Sequence, residues 1–122
     1  MSLGILIVSH VAEITAGVQK LISQTAAQVP VTVAGGTDEG GVGTSVDKIQ
    51  QAIAANKADE LLAFYDLGSA KMNLEMAQEF SDKPIHLYDV ALIEGAYTAA
   101  ALLQAGVERS EIEKQLRPLK IK

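Results

Sequence analysis

The sequence contains no cysteine and no tryptophan, and aromatic residues make up only 4% of it. Without cysteine there are no disulfides, no thiolate metal sites and no cysteine nucleophile, and the composition fits a reducing compartment. With so few aromatics the core must be aliphatic. Hydrophobic residues at 48% suffice to build one, provided Ala, Val, Leu and Ile pack closely. Long apolar runs are also missing. "LGILIV" is far shorter than the ~20 residues a membrane-spanning helix needs, and no basic segment precedes it as in a secretory signal. The expectation is a soluble, cytoplasmic protein without membrane attachment. Basic charge is the scarcer sign, with ten Lys and Arg against fifteen Asp and Glu and a net charge of −5. A phosphate backbone would be repelled, and no basic stripe with interleaved aromatics exists, so nucleic acid is not an expected partner. Histidine is rare as well. Only His10 and His86 are present, and histidine chemistry is confined to them.

The length of 122 residues suits one domain spanning residues 1–122. Four short apolar runs recur: "GILIV" (4–8), "VTVA" (31–34), "LLAFY" (61–65) and "IHLY" (85–88). The first and third are continuously apolar, the mark of strands buried on both faces of a parallel sheet. Spacings of three and four predict helices over 11–28, with Ile14, Val18, Leu21 and Ile22 on one face, and over 44–56, with Val46, Ile49 and Ile53. A third helix over 69–80 carries Met72, Met76 and Phe80, read as a core stripe. A nearly all-apolar helix over 91–104 calls for cover, including from another subunit. Thr44 with Asp47 is close to a capping box. Ser110-Glu111-Ile112-Glu113 is a full one, opening a short last helix that Pro118 stops. Residues 119–122 read as a frayed end or an added strand. The pattern is α/β, a doubly wound, mainly parallel four-stranded sheet of order 2-1-3-4 with helices on both faces.

In such sheets the site lies beyond the carboxyl ends of the strands, where the strand order reverses. Ser9-His10 follows the first strand and Asp66-Leu67-Gly68-Ser69 the third. Adjacent strands lie about 4.8 Å apart, so His10 and Asp66 come within reach of each other. The glycine-rich segment 35–43 with Thr44-Ser45 follows the second strand, and Asp89 the fourth. Three helices begin at this edge, near Val11, Thr44 and Ser69, and helix N-termini present N–H groups to phosphate oxygens. A metal site is poorly supported, because His86 sits inside a strand. A Ser-His-Asp hydrolase lacks its G-x-S-x-G elbow. Segment 35–43 matches neither a P-loop nor G-x-G-x-x-G. A histidine nucleophile needs less: one ring nitrogen attacks while Asp66 fixes the tautomer through the other. Plainer readings stand beside this one. Asp66, Thr44 and Ser45 can simply cap helices, segment 35–43 can be a surface turn, and His86 reads as a core or subunit-contact histidine. Lys71 is the one cation close to the site in sequence, and it also suits a solvated helix position.

These residues fall into segments with a familiar combination. "GILIVSH" with "AGV" at 16–18, "GGTDEGGVGTSVDKIQQAI" at 35–53, "YDLGSAKMNLEMA" at 65–77 and "VALIEGAYTAA" at 90–100 together resemble one family. It is the phosphotransferase subunit (DhaM type) of the bacterial phosphoenolpyruvate-dependent dihydroxyacetone kinase, whose fold is similar to mannose-class IIA domains of the sugar phosphotransferase system. The resemblance covers essentially the whole chain. It implies a relay in glycerol metabolism without a bound cofactor or metal, working through a transient phosphohistidine. The phosphoryl group would come from the phosphocarrier HPr and pass to ADP on a DhaL-type subunit, serving dihydroxyacetone on a DhaK-type subunit. The phosphoacceptor falls on His10 and its carboxylate partner on Asp66. The phosphoryl- and partner-binding positions fall on Ser9, Val11, Gly40, Gly41, Gly43, Thr44, Ser45, Gly68 and Ser69. A homodimer is implied, as is a separate HPr, since no further phosphotransfer domain follows in this sequence. One departure concerns Val11, where many members have serine, so a hydroxyl role there is lost or moved. Three alternatives remain: a IIA component of a mannose-class sugar transporter using the same histidine, a small metal chelatase using both histidines, and a non-catalytic binding module.

Overall fold

Side chains are apolar at every position from Ile5 to Val8 and from Leu61 to Phe64, and burial on two sides is what such runs require. In the computed structural model, which describes residues 2–122, these runs form the middle of the sheet. Met1, first residue of the expected domain, lies outside the described residues. The elements run β1 (Leu3–Ser9), α1 (Ala12–Ser23), β2 (Val31–Gly35), α2 (Val46–Ala55), β3 (Glu60–Tyr65), α3 (Gly68–Glu79), β4 (Ile85–Tyr88), α4 (Leu92–Gln104) and α5 (Arg109–Leu116), followed by a 3₁₀ turn over Arg117–Leu119. The sheet order is β2-β1-β3-β4 and every ladder is parallel, as the sequence reading expects.

Alternation along the central strands divides the core in two. Leu6 and Val8 of β1 with Leu61, Ala63 and Tyr65 of β3 pack against Ile49 and Ile53 of α2 and Ala70, Leu74 and Ala77 of α3. Ile5, Ile7, Leu62 and Phe64 face the other way, onto Val18 and Ile22 of α1, Ala96, Ala99 and Ala100 of α4, and Ile112 and Leu116 of α5. The helix layers are close because their contacting residues are small. A Cβ on Gly95 would lie 2.4 Å from Val90 Cγ2 and 3.4 Å from the Phe64 ring, so α4 rests on the sheet through a bare backbone. All the strand ends that precede a helix then open at one edge of the sheet, which is where the polar residues gather.

Several local expectations change. The Met72–Met76–Phe80 stripe of α3 points outward, at 70%, 50% and 72% exposure, and Ala70, Leu74 and Ala77 make the buried face instead. Both rows have helical spacing, and the small-residue row wins because it lets α3 approach β3 and α2 closely. On α1 the buried face is Thr15, Val18 and Ile22, while Ile14 and Leu21 are exposed. The first residue of α2 is Val46, capped by Ser45 rather than Thr44: the Ser45 hydroxyl accepts the Lys48 amide. Ser110 lies inside α5, not at its cap; Glu108 takes the cap position and Ser110 Oγ donates to its carboxylate. Residues 119–122 are neither frayed nor a full strand. They run antiparallel beside the exit of β4 through one bridge, Val90 with Lys120, and through hydrogen bonds from Ala91 N to Leu119 O and from Ile121 N to Asp89 O.

The orientation of α3 is open to a direct check. Leu74→Ala should cost about 2–5 kcal/mol of unfolding free energy, as buried leucine truncations do, whereas Met72→Gln should stay within about 0.5 kcal/mol. Urea unfolding of the two variants measures both, and a large loss at Met72 with none at Leu74 would overturn this face assignment.

Candidate active site

Where β1 and β3 end side by side, the Val8–Tyr65 pair closes their ladder. The next residues, Ser9-His10 and Asp66, meet above it. Asp66 is the hub. Its Oδ2 accepts the Ser9 hydroxyl at 2.8 Å and the His10 amide at 3.0 Å, and its Oδ1 accepts the Leu67 amide at 2.7 Å and lies 2.9 Å from His10 Nδ1. Burial by itself raises the carboxyl, but the hydrogen bonds from the His10 amide, the Ser9 hydroxyl, the His10 ring and the Leu67 amide outweigh it. The net result holds Asp66 below the ordinary carboxylate value. An ionised carboxylate only accepts, so the proton of this contact sits on His10 Nδ1, which leaves a lone pair on Nε2.

That second nitrogen points at the start of α3. Ser69 Oγ is 2.6 Å from Nε2, and in the tautomer just assigned the hydroxyl donates. The His10 and Asp66 side chains are only 16% and 15% exposed, but Leu67, Gly68 and Ser69 are all exposed, so Nε2 faces the solvent side of the site. Leu67 occupies the N-cap position and gives no side-chain cap. The first amides of α3 have no intrahelical acceptor, and they carry the positive end of the helix dipole. The site therefore combines a nucleophilic nitrogen, a fixed tautomer and a place suited to an oxyanion.

The approach of α1 from the other side depends on Gly35. A Cβ there would lie 2.4 Å from Thr15 Oγ1 and 2.7 Å from Ala12 Cα. The bare glycine lets the first turn of α1 sit on the end of β2, with Val11 between His10 and that turn. The Val11 amide donates to Ser9 Oγ at 3.2 Å, so this position contributes main chain and no hydroxyl. In the glycine-rich segment, Gly43 N donates to the His10 carbonyl at 2.8 Å. The remaining positions singled out from sequence are held elsewhere. Gly40 and Gly41 fold back on Thr37 through main-chain bonds, and Gly41 N also meets the Thr37 hydroxyl. Ser45 Oγ donates to Asp38 at 2.6 Å, and Thr44 Oγ1 accepts Asn73 Nδ2 at 2.6 Å. Gly43 is thus the residue of this loop that hydrogen-bonds to His10.

Asn73 and Lys122, which sequence reasoning did not place here, belong to the surroundings together with Asp89, which it did. Asn73, one turn beyond Ser69 on α3, ties that helix to the loop through Thr44. Asp89 receives the Tyr65 hydroxyl at 2.5 Å and Lys71 Nζ at 2.9 Å. These hold it below the ordinary carboxylate range, the tyrosine contact counting most. Lys71 is thereby engaged. Lys122 Nζ donates to the carbonyls of Tyr65 and Asp66 at 2.6 and 2.8 Å. Asn73 could have been suggested by its helical spacing from Ser69. Lys122 carried no signal, because only the tertiary return of residues 119–122 brings it here. His86 stays apart from His10: it contacts Glu60 at 2.5 Å, and Arg109 Nη1 lies 2.7 and 2.5 Å from its ring nitrogens, at the opposite end of β3 from Asp66. Among the described residues no group of three or more His, Asp or Glu is arranged to hold a metal ion.

Comparison with known proteins gives a consistent outcome. Residues 4–112 match the model of a family described as PTS system fructose IIA component. The chain is similar to the phosphotransferase subunit DhaM of a PTS-dependent dihydroxyacetone kinase from Lactococcus lactis subsp. lactis, 49% identical over 99% of this chain and 98% of the relative. It is also similar to the phosphoryl donor subunit DhaM of PEP-dependent dihydroxyacetone kinase 1 from Listeria innocua serovar 6a, 43% identical over 98% of this chain and 96% of that one. A crystal structure of a protein described as of unknown function superposes with a TM-score of 0.86 at 31% identity, covering 100% of this chain and 98% of that chain.

The Asp66 carboxyl makes the site's contribution to stability depend on pH. Its folded-state value lies below the ordinary 3.8, so the ionised form favours the fold. That contribution is complete above the unfolded value and is lost as pH falls through the lower folded one. Asp66→Asn removes the titration. The gap in urea midpoint between wild type and Asp66→Asn should therefore narrow between about pH 7 and about pH 3. A gap that widens on acidification contradicts the assignment of a lowered carboxyl.

Proposed function

The chain belongs to the PTS system fructose IIA component family, and we propose that it is the phosphohistidine relay subunit of a PEP-dependent dihydroxyacetone kinase. The observation that carries this reading is the His10 ring itself, with Nδ1 committed to Asp66 and Nε2 turned to the start of α3. In a phosphohistidine donor the P–N bond breaks as the Nε2 lone pair forms a new P–N bond. The His10 ring then carries positive charge, and the Asp66 carboxylate on Nδ1–H stabilises it. Ser69 Oγ gives up its bond to Nε2 and donates to a phosphoryl oxygen instead, while the amides of Gly68 and Ser69 donate to the others. In the second half of the cycle a terminal oxygen of ADP attacks phosphorus. The Nε2–P bond breaks, the electron pair returns to the ring, and neutral imidazole leaves with its proton still on Nδ1, donated to Asp66.

The donor in this reading is HPr and the acceptor is ADP on a DhaL-type subunit, with dihydroxyacetone held on a DhaK-type subunit. The relatives' names support the kinase complex. The hydroxyl that many members carry at position 11 is replaced in function by Ser69, and the Val11 amide supports Ser9. Gly43 fixes His10 from the loop side; Gly40, Gly41, Thr44 and Ser45 shape the loop against which a partner closes. The chain works as a single domain and as a cytoplasmic homodimer. The exposed Ile93 and Tyr97 on the apolar helix α4 supply that contact. No helix among the described residues is long and apolar enough to cross a membrane. A sugar-transporter IIA component would use the same histidine, and the family description keeps it as the second reading. The metal chelatase reading required His86 to reach His10, and the position of His86 against Glu60 and Arg109 speaks against it.

Incubation with phosphoenolpyruvate, enzyme I and HPr should add one phosphoryl group, acid-labile and absent from His10→Ala, as read by intact mass. An adduct that survives His10→Ala sinks the proposal. Asp66→Asn should slow phosphorylation by about 10- to 100-fold, the usual cost of losing the group that orients a reactive imidazole. Transfer from the phosphorylated chain to a DhaL-type subunit with ADP supports the kinase; transfer only to a IIB domain supports the transporter.

A further inference from the structure

We propose that Lys122 is a positioning residue for phosphoryl transfer, its ammonium fixing the Asp66 main chain and offsetting the negative charge at this edge of the sheet. The proposal rests on the reading of His10 as phosphoryl carrier.

The geometry begins where a ladder stops. The β3–β4 pairing ends at Phe64 with Tyr88, so the chain beyond it at Tyr65 and Asp66 has no β4 neighbour in register. Lys122 Nζ donates to both of those carbonyls, at 2.6 and 2.8 Å. Two bonds from one ammonium to consecutive carbonyls set the orientation of the peptides that flank Asp66, and with it the direction of the carboxylate toward Ser9 and His10. The lysine is itself guided. The Val90–Lys120 bridge and the Ile121 N bond to Asp89 O align residues 119–122, and Nζ stands 4.2 Å from the centre of the Tyr65 ring. That ring is held in turn by its hydroxyl on Asp89.

Charge gives the second reason. Asp66 and Asp89 sit at this edge together with strand carbonyls, all unfavourable for an incoming phosphoryl group that carries about two negative charges. Lys71 is bound to Asp89 and Lys48 Nζ to the Gly35 carbonyl. Lys122 is the cation seated on residue 66 itself. Burial pushes its ammonium down from the ordinary lysine value, while attraction to Asp66 and Asp89 works in the other direction. The ammonium is thus electrostatically joined to the carboxylate that orients His10.

The test compares Lys122→Met and Lys122→Arg with wild type in transfer from phosphorylated HPr, in the 13C NMR titration of the Asp66 carboxyl and in urea unfolding. Lys122→Met should lower kcat by about tenfold with KM little changed, raise the pH at which Asp66 titrates and leave the urea midpoint near wild type. Lys122→Arg should restore most of kcat and the Asp66 titration. The proposal is overturned if Lys122→Met leaves kcat and the Asp66 titration unchanged. A raised KM with intact kcat overturns it too, since that would make Lys122 a partner contact. Equal losses in both variants with a lowered urea midpoint overturn it as well. Wild-type protein that takes no phosphoryl group on His10 refutes the relay reading instead, and the Asp66 titration still decides what Lys122 does to that carboxyl.

Discussion

One carboxylate with four hydrogen-bond donors around it governs the site. Asp66 receives the Ser9 hydroxyl, the His10 amide, His10 Nδ1 and the Leu67 amide. Each bond fixes something different. The Ser9 and His10 amide bonds join the end of β1 to the end of β3. The Leu67 bond starts α3 in the right direction. The ring bond assigns the tautomer, and so decides which nitrogen is free. Replacing this carboxylate with an apolar side chain would leave several partly buried donors without an acceptor, and each such orphan costs about 1–3 kcal/mol. Structure and chemistry are therefore coupled through the same two oxygens.

Everything larger serves to bring those donors to one place. The parallel order puts β1 beside β3, so the two strand ends that carry His10 and Asp66 are neighbours although 56 residues separate them. Close helix packing sets the depth of the site. Gly35 admits the first turn of α1, and Gly95 seats α4 on Phe64 and Val90. Small side chains on α3 seat its N-terminus near the sheet edge. An aromatic-rich core would hold the layers further apart and move Ser69 away from Nε2. The poverty of aromatic residues is part of how a chain this short assembles a precise site.

The fold was readable because its evidence is redundant. Continuously apolar β1 and β3, less apolar edge strands and helical spacing between them all name the same parallel sheet. The meeting of His10 and Asp66 was readable because it follows from strand order alone. What escaped reading was set by competition between near-equal local choices. On α3, Met72, Met76 and Phe80 share helical spacing with Ala70, Leu74 and Ala77, and hydrophobicity favours the wrong row; only the distance to α2 and the sheet decides. At Thr44 and Ser45 adjacent hydroxyls compete for one cap, and the Asn73 contact draws Thr44 away. At Ser110 a correct capping pattern is displaced because Arg109 already belongs to the helix. Lys122 was unreadable for a different reason: its role depends on a tertiary contact that no local pattern encodes.

A relay places an unusual demand on a binding site, because the phosphoryl group must be accepted readily and released readily. A site that only attracts it would become a trap. In the relay proposed for His10, the favourable elements are the α3 amides, the Ser69 hydroxyl and the Asp66-stabilised imidazolium. The opposing ones are the carboxylates of Asp66 and Asp89 and the carbonyls at the strand ends. Asp66 belongs to both sets in that proposal: it would favour a phosphorylated, charged ring through Nδ1–H and disfavour the anion on that ring. In the proposed relay, that dual action would keep a P–N bond on His10 labile toward attack. Such a site has no need for a deep pocket. The proposed relay needs a nitrogen of fixed tautomer at the rim of the sheet, open to a donor in one half-cycle and to an acceptor in the next, and β1, β3 and α3 hold His10 Nε2 at that rim.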